Sequence, residues 1–378
     1  MKTIVCSAAG VVLLGFFLSS ATAAGGGANV TKAGQRLFEQ ETFGGNGRTC
    51  RTCHSADSGT VSPEDAAKRL RKNPTDPLFV HDGSDDGLGH GVARMLKDAT
   101  VLVTIPLPSN VTLADDPNAR SVTLRRGIAS TLNTPALDKV LMLDGRQPDL
   151  ESQATGAIQD HAQGVVPSPA DLLAIADFQR TNAFFSSPAL RLLADGGAAP
   201  GLPFGETASE QRGRRFFEDR PPDPADGFKP GLCAHCHSGP LLNQTNQFAE
   251  AFIGLPIPVG ARFSNVLVSE FNRTNNPLRE FIFNANTLEE VHLVSPDPGR
   301  ALITGSLDNS TLQNVNAFKI SPLRGVTRTA PYFHDNSAQR LEDVAAHYAD
   351  FFAVVTQGLI VLTPQDQADM VAYMKLLK

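Results

Sequence analysis

The sequence predicts a mainly α chain made of two similar units with long ordered loops, and three observations carry that reading. First, the pentapeptide Cys-x-x-Cys-His occurs twice, as Cys50-Arg51-Thr52-Cys53-His54 and as Cys233-Ala234-His235-Cys236-His237. Second, each copy follows a segment with apolar residues at helical spacing near a glycine, Ala33 to Phe38 before the first and Glu210 to Phe217 before the second. Third, strand signals are few: Thr100 to Ile105 and Phe263 to Val268 are short and read as local. The 26 Pro and 32 Gly among 378 residues predict many loops.

Taken in order, residues 1–23 read as a secretory signal peptide, with Lys2 as the positive start, an apolar run from Ile4 to Leu18 and a cleavage site at Ala21-Thr22-Ala23. The run is too short and its end too polar for stable membrane insertion. Cys6 lies inside it and would be removed with it. The first unit spans 24–196 and the second 197–378. Pro169 to Leu193 reads as one amphipathic helix that buries Leu172, Leu173, Ile175, Ala176 and Phe178. Ala194 to Gly201 is the linker candidate. Asp366 to Leu377 reads as a closing helix with Met370, Val371, Tyr373, Met374 and Leu377 apolar. The net charge of −6 is mild and no basic run tracks a phosphate backbone, which argues against a nucleic-acid partner.

Cys-x-x-Cys-His is the attachment signature of c-type haem: the two thiols add to the porphyrin vinyls and the adjacent His binds the iron. Two haem c groups are therefore expected, on Cys50, Cys53 and His54 and on Cys233, Cys236 and His237. Cys pairs also hold zinc or form redox dithiols, but neither needs a His directly after each pair. His235, inside the second motif, reads as a surface or packing residue, and His292 as surface. Haem attachment fits export and a periplasmic location. Disulfides are common in such a compartment, yet no cysteine is spare for one.

Each helix-plus-motif unit looks like a class I cytochrome c-like domain, and the chain as a whole resembles the bacterial dihaem cytochrome c peroxidase and MauG superfamily. Phe318-Lys-Ile-Ser-Pro-Leu-Arg-Gly-Val-Thr-Arg-Thr-Ala-Pro-Tyr-Phe-His334, followed by Leu341-Glu-Asp-Val and His347-Tyr348, is similar to the family stretch FKxPxLRNxxxTAPYFHDG. Leu143-Asp-Gly-Arg146 through Gln153 is similar to WDGRxxxLxxQ, and Cys236-His-Ser-Gly-Pro240 to CHxGP. The resemblance implies a reactive first haem with His54 as proximal ligand and an electron-transfer second haem with His237. It places Tyr348, fourteen residues beyond His334, as the second haem's other ligand, as in MauG; the peroxidases carry Met there. A phenolate favours ferric iron and a low potential. His347, Met370 and Met374 are alternative ligands.

Three positions depart from the family. Leu143 stands where it has an inter-haem Trp. Gln163 stands at the distal acid, and Gln cannot move a proton; Asp160 or His161 could replace it. Ile128 stands at an Asn implicated in inter-domain calcium, which leaves only the carbonyls of Thr329 and Pro331 for that ion. Gln153 is a candidate distal donor, Arg146 a candidate partner of a haem propionate, and His334 a structural or relay group near the haems. His81 and His90 are candidates to cap the first haem. The leading expectation is an enzyme that reduces hydrogen peroxide with electrons from a small periplasmic donor, a cytochrome c or cupredoxin. The alternatives are a MauG-like high-valent haem oxidase of a protein or organic substrate, and a non-enzymatic dihaem electron carrier. A homodimer is one expectation for its assembly.

Overall fold

The computed structural model describes residues 24–378 except 182–184, 273–274 and 285, so the expected signal peptide and Cys6 lie outside the described residues. Among the described residues no helix is long and apolar enough to cross a membrane.

The same crossing of helices is used twice. The Ala24–Glu39 helix crosses the Pro169–Thr181 helix at Gly34, where a Cβ would lie 2.0 Å from the Ala174 carbonyl oxygen. The Ala208–Arg214 helix crosses the Pro364–Met374 helix at Gly213, where a Cβ would lie 2.0 Å from the Asp369 carbonyl oxygen. Only glycine permits backbones to approach that closely. One turn on, Phe38 packs on Phe178 at 5.5 Å between ring centroids, and Phe217 packs on Tyr373 at 5.3 Å. Thr207 and Glu210 cap the start of one of these helices, and Thr363 and Asp366 cap another, each as a reciprocal capping box.

Three small sheets accompany the helices. β1 (Thr100–Pro106) pairs antiparallel with β3 (Ser121–Gly127), with Val101 opposite Arg126. β2 (Val111–Leu113), β5 (Arg279–Phe283) and β6 (Val291–Ser295) form a second antiparallel sheet in the order β2-β5-β6. β4 (Phe263–Ser264) pairs with β7 (Phe318–Lys319). Strands are thus more numerous than the sequence suggests. Along β3 the period of two buries Val122, Leu124 and Arg126 on one face.

The boundary expected at 196/197 separates the two cysteine motifs but not two cores. Phe281, Phe283, Ala301 and Leu302 from the second half are buried with Leu78, Met95, Ile105 and Leu124 from the first. The single helix expected over 169–193 is two, ending at Thr181 and restarting at Pro188, where the Ser187 hydroxyl accepts from the Leu190 amide and Pro occupies the first turn. Leu173 is half-exposed, whereas Ile175, Ala176 and Phe178 are buried.

Candidate functional site: two cavities on the Cys-x-x-Cys-His motifs

Each motif lines its own cavity. Cys50, Cys53 and His54 line the first, of about 160 Å³; Cys233, Cys236 and His237 line the second, of about 360 Å³. All four cysteines are free, and burial pushes their thiols up, Cys50 to about 12 and Cys236 to about 11. These are not reactive thiolates of a dithiol centre, and among the described residues no cluster has the make-up of a metal-ion site.

The two histidines are held alike. His54 Nδ1 lies 2.8 Å from the Gly59 carbonyl oxygen, and His237 Nδ1 lies 2.9 Å from that of Leu242, five residues on in both cases. A carbonyl can only accept, so Nδ1 carries the proton and Nε2 is left as a bare donor atom suited to iron. Burial pushes His54 down to about 4 and lowers His237 as well, so both stay neutral, as an iron ligand must. Paired thiols, a neutral imidazole with its tautomer fixed, and a mainly apolar cavity fit a covalently attached haem in each unit.

The remaining wall of the first cavity carries polar groups: Arg146, Gln153 and His161. A π-helical turn, Ala157–His161, follows the Leu150–Gly156 helix. Its extra residue rotates the chain, so that Ala157, Ile158, His161 and Ala162 line the cavity. Asp160 and Gln163 are exposed and do not line it. Gln163, at φ 54, instead takes a hydrogen bond from Asn46. His161 is positioned from outside the turn: its Nδ1 lies 2.5 Å from Asp82 Oδ2. Asp82 is buried and accepts from Arg48 through Oδ1. Arg48 also donates to the carbonyls of Leu78 (3.0 Å) and Val80 (2.7 Å), clamping the segment that carries Asp82. Burial alone would raise the Asp82 carboxyl, but the hydrogen bond from His161 and the charge of Arg48 outweigh it and hold it below the usual range.

His81 and His90 do not line the first cavity, which corrects their reading as caps of the reactive haem. His90 is largely exposed and bound to Asp86 at 2.7 Å. Arg146 donates to both Asp144 oxygens at 2.9 Å through Nη1. Asp144 is shared with Arg126, which also forms a two-pronged pair with Asp297 at 2.7 and 2.9 Å; all three are buried.

In the second cavity, Tyr348 on the Leu341–Val355 helix lines the wall with Phe351 and Phe352, and Met370 and Met374 join from the closing helix. Burial, then the neighbouring Cys236 and Cys233, push the Tyr348 phenol well above its ordinary value. His347 does not line the cavity, and its Nε2 lies 2.9 Å from the Val266 carbonyl oxygen. Of the two readings of His235, surface or packing, the structure shows packing: it is 1% exposed, lines this cavity and lies against the Phe252 ring, tilted 36° with centroids 4.5 Å apart. His292 is at the surface, between Glu280 and Glu290.

The cavities share one wall, Gly127 to Ser130 with Met142 and Leu143. Leu143 therefore stands between the two motifs, and the shared wall holds no aromatic side chain. Ile128 is also in it; its side chain has no oxygen, and its main-chain oxygen accepts from the Thr60 hydroxyl. His334, buried in the second cavity, stacks on Phe318 at 3.6 Å and 6°, and Arg126 of the first cavity lies over the other ring at 5.4 Å. Sequence reasoning missed Arg48, Asp82, Arg126 and Met142 as site residues. Arg48 lies two residues before Cys50, but nothing local marks the others.

No family model and no curated protein matches the chain. Among solved structures it is similar to a MauG-like protein associated with microbial copper homeostasis, at 19% identity over 92% of this chain and 88% of that one, with a TM-score of 0.49. It is similar to the diheme peroxidase BthA from Burkholderia thailandensis, at 15% identity over 92% and 86% of the chains, with a TM-score of 0.46. It is also similar to hydrazine synthase from Kuenenia stuttgartiensis, at 14% identity over 99% and 98%, with a TM-score of 0.36.

Proposed function

We propose that this chain is a periplasmic dihaem c-type oxidoreductase that reduces hydrogen peroxide in the first cavity, with electrons delivered through the second. The observation that carries the reading is the buried Arg48–Asp82–His161 array, which points an imidazole into the cavity that contains His54. Bound haem supplies the site where peroxide binds and the redox capacity for the reaction. The protein must then take a proton from one peroxide oxygen and return protons to the departing one. His161 has the chemistry for it. Asp82 fixes Nδ1 as the protonated nitrogen and steadies the ring when it becomes cationic, which leaves Nε2 to exchange the proton. Gln153 supplies an amide donor from the same cavity. Arg146 closes the site beside Asp144 and keeps guanidinium nitrogens for a haem carboxylate.

The test is peroxide consumption by the purified dihaem protein with a reduced small redox protein as donor. His161→Ala and Asp82→Asn are both expected to slow turnover sharply with the haem spectra unchanged. Full turnover in His161→Ala would sink the assignment.

A second reading has its own support. Tyr348 lines the second cavity while His347 is spent on Val266. A tyrosinate on the second iron lowers its potential and suits an oxidase that acts on a protein or organic substrate. Tyr348→Met should raise that haem's midpoint potential. No change in potential or spectrum removes Tyr348 as a ligand and this reading with it.

A further inference from the structure

The geometry points to a proton path from solvent into the first cavity, running His81–Asp82–His161, with His81 as its outer station. It rests on the proposed role of His161 and adds the route by which that residue is reloaded.

Asp82 Oδ2 is approached by two imidazoles. His161 Nδ1 lies 2.5 Å away on the cavity side, and His81 Nδ1 lies 3.8 Å away on the other. His81 Nδ1 is buried and makes no hydrogen bond within the protein, whereas the side chain as a whole is one-third exposed. One ring thus spans from solvent to an interior carboxylate. The backbone is held for this purpose in a conformation that costs energy: His81 has φ 46, a left-handed geometry rare for a non-glycine residue. Its carbonyl oxygen is fixed by the Ser84 amide at 3.0 Å and the Ser84 hydroxyl at 2.6 Å. Around Asp82, Arg48 occupies the other carboxylate oxygen, and Arg94 donates to the main-chain oxygen at 2.8 Å. Neither takes Oδ2, so that oxygen is reserved for the two histidines.

The chemistry needs such a path. Reduction of one hydrogen peroxide breaks the O–O bond, consumes two electrons from a reduced one-electron donor protein and two protons, and releases two waters. A His161 that gives up its proton must be reprotonated before the next event. Solvent protonates the outer nitrogen of His81, and Nδ1 releases a proton toward Asp82 Oδ2 through one water or a small ring movement across the 3.8 Å gap. For a passage His161 must first carry its proton on Nε2; Nε2–H discharges into the cavity as Asp82 gives its proton to the bare Nδ1, which returns the ring to the Nδ1–H tautomer. Each ring gains one proton and loses one, each must then move its remaining proton to the other nitrogen before it acts again, and two such passages serve one peroxide.

The test uses the dihaem holoprotein and hydrogen cyanide, which must surrender its proton inside the cavity on binding and so reports proton transfer without turnover. Binding is followed by haem absorbance in dilute buffer, for wild type, His81→Asn, His81→Gly and His161→Ala. Asn and Gly both tolerate the left-handed backbone, so the fold is kept, and thermal unfolding checks it. The expected result is association about tenfold slower in both His81 variants, restored by added imidazole, with resting spectra and midpoint potentials unchanged. Wild-type association in both His81 variants with slow association in His161→Ala overturns the path and leaves the proposed function standing. Wild-type association in all three overturns both.

Discussion

The two cavities are alike on the side of the Cys-x-x-Cys-His motif and unlike everywhere else. Each motif histidine donates Nδ1–H to a carbonyl five residues on, and each unit crosses its first helix over a later one at a glycine with the same 2.0 Å clearance. Opposite these repeated parts, the first cavity has His161, Gln153 and Arg146, backed by Asp82 and Arg48. The second has Tyr348, Met370, Met374 and a cluster of phenylalanines. The repeated half fits a haem; the other half puts an imidazole, an amide and a guanidinium in the first cavity and a phenol and two thioethers in the second. The shared wall holds Leu143 and no aromatic side chain, and the Arg126–Phe318–His334 stack reaches from one cavity to the other.

The sharpest way to break this comparison is His161→Ala. Loss of a general acid–base group costs roughly 10²- to 10⁴-fold in rate, so steady-state peroxide turnover should fall by that much, while Tyr348→Phe should leave the first haem's spectrum as it was. Equal loss from both would mean the cavities do not divide the labour. Next in size is Arg126→Met, which leaves Asp297 buried without its cation and Asp144 with Arg146 alone. About 3–5 kcal/mol of stability should go, read as a lowered denaturant midpoint. A loss under 1 kcal/mol would show that Arg146 and solvent neutralise the carboxylates unaided. Gly34→Ala and Gly213→Ala sharpen the repeated half. Each forces a helix pair apart and should cost about 1–3 kcal/mol, and thermal unfolding should give similar values; a large difference would argue that the two crossings are not equivalent.

The smallest effect is one of pH. The Asp82 and Asp144 carboxyls sit below their ordinary value because, against the cost of burial, His161 and Arg48 stabilise the one and Arg126 and Arg146 the other. A carboxyl depressed in the folded state adds stability above its unfolded value, near 4, and loses it as pH falls through the folded value. Acidification below about pH 4 should therefore weaken the first cavity, and Asp82→Asn should flatten that dependence in an acid titration followed by far-UV circular dichroism.

Much of the repeated half was legible in the sequence. The cysteine motifs, the preceding helices and the closing helix are local patterns, set by spacing and apolar period. Tyr348 was singled out by the family resemblance rather than by any local pattern, and it lines the second cavity. The other half was less legible. Asp160 and His161 are neighbours, and only the π-helical turn determines that His161 faces inward. Asp82 lies far from His161 in sequence and reads there as part of a Gly- and Asp-rich loop. β5 was missed because its two buried phenylalanines complete a core built mostly from the first half.

By itself the sequence determined that two Cys-x-x-Cys-His motifs each follow a glycine-marked helix, because a pentapeptide and such a helix act within a few residues. The tertiary structure alone decided which groups face the haem pockets. That depends on one extra residue in a turn, on an arginine that clamps a distant aspartate, and on strands from one half completing the core of the other. Such contacts form only when residues far apart in the chain are buried together, and no local spacing records them.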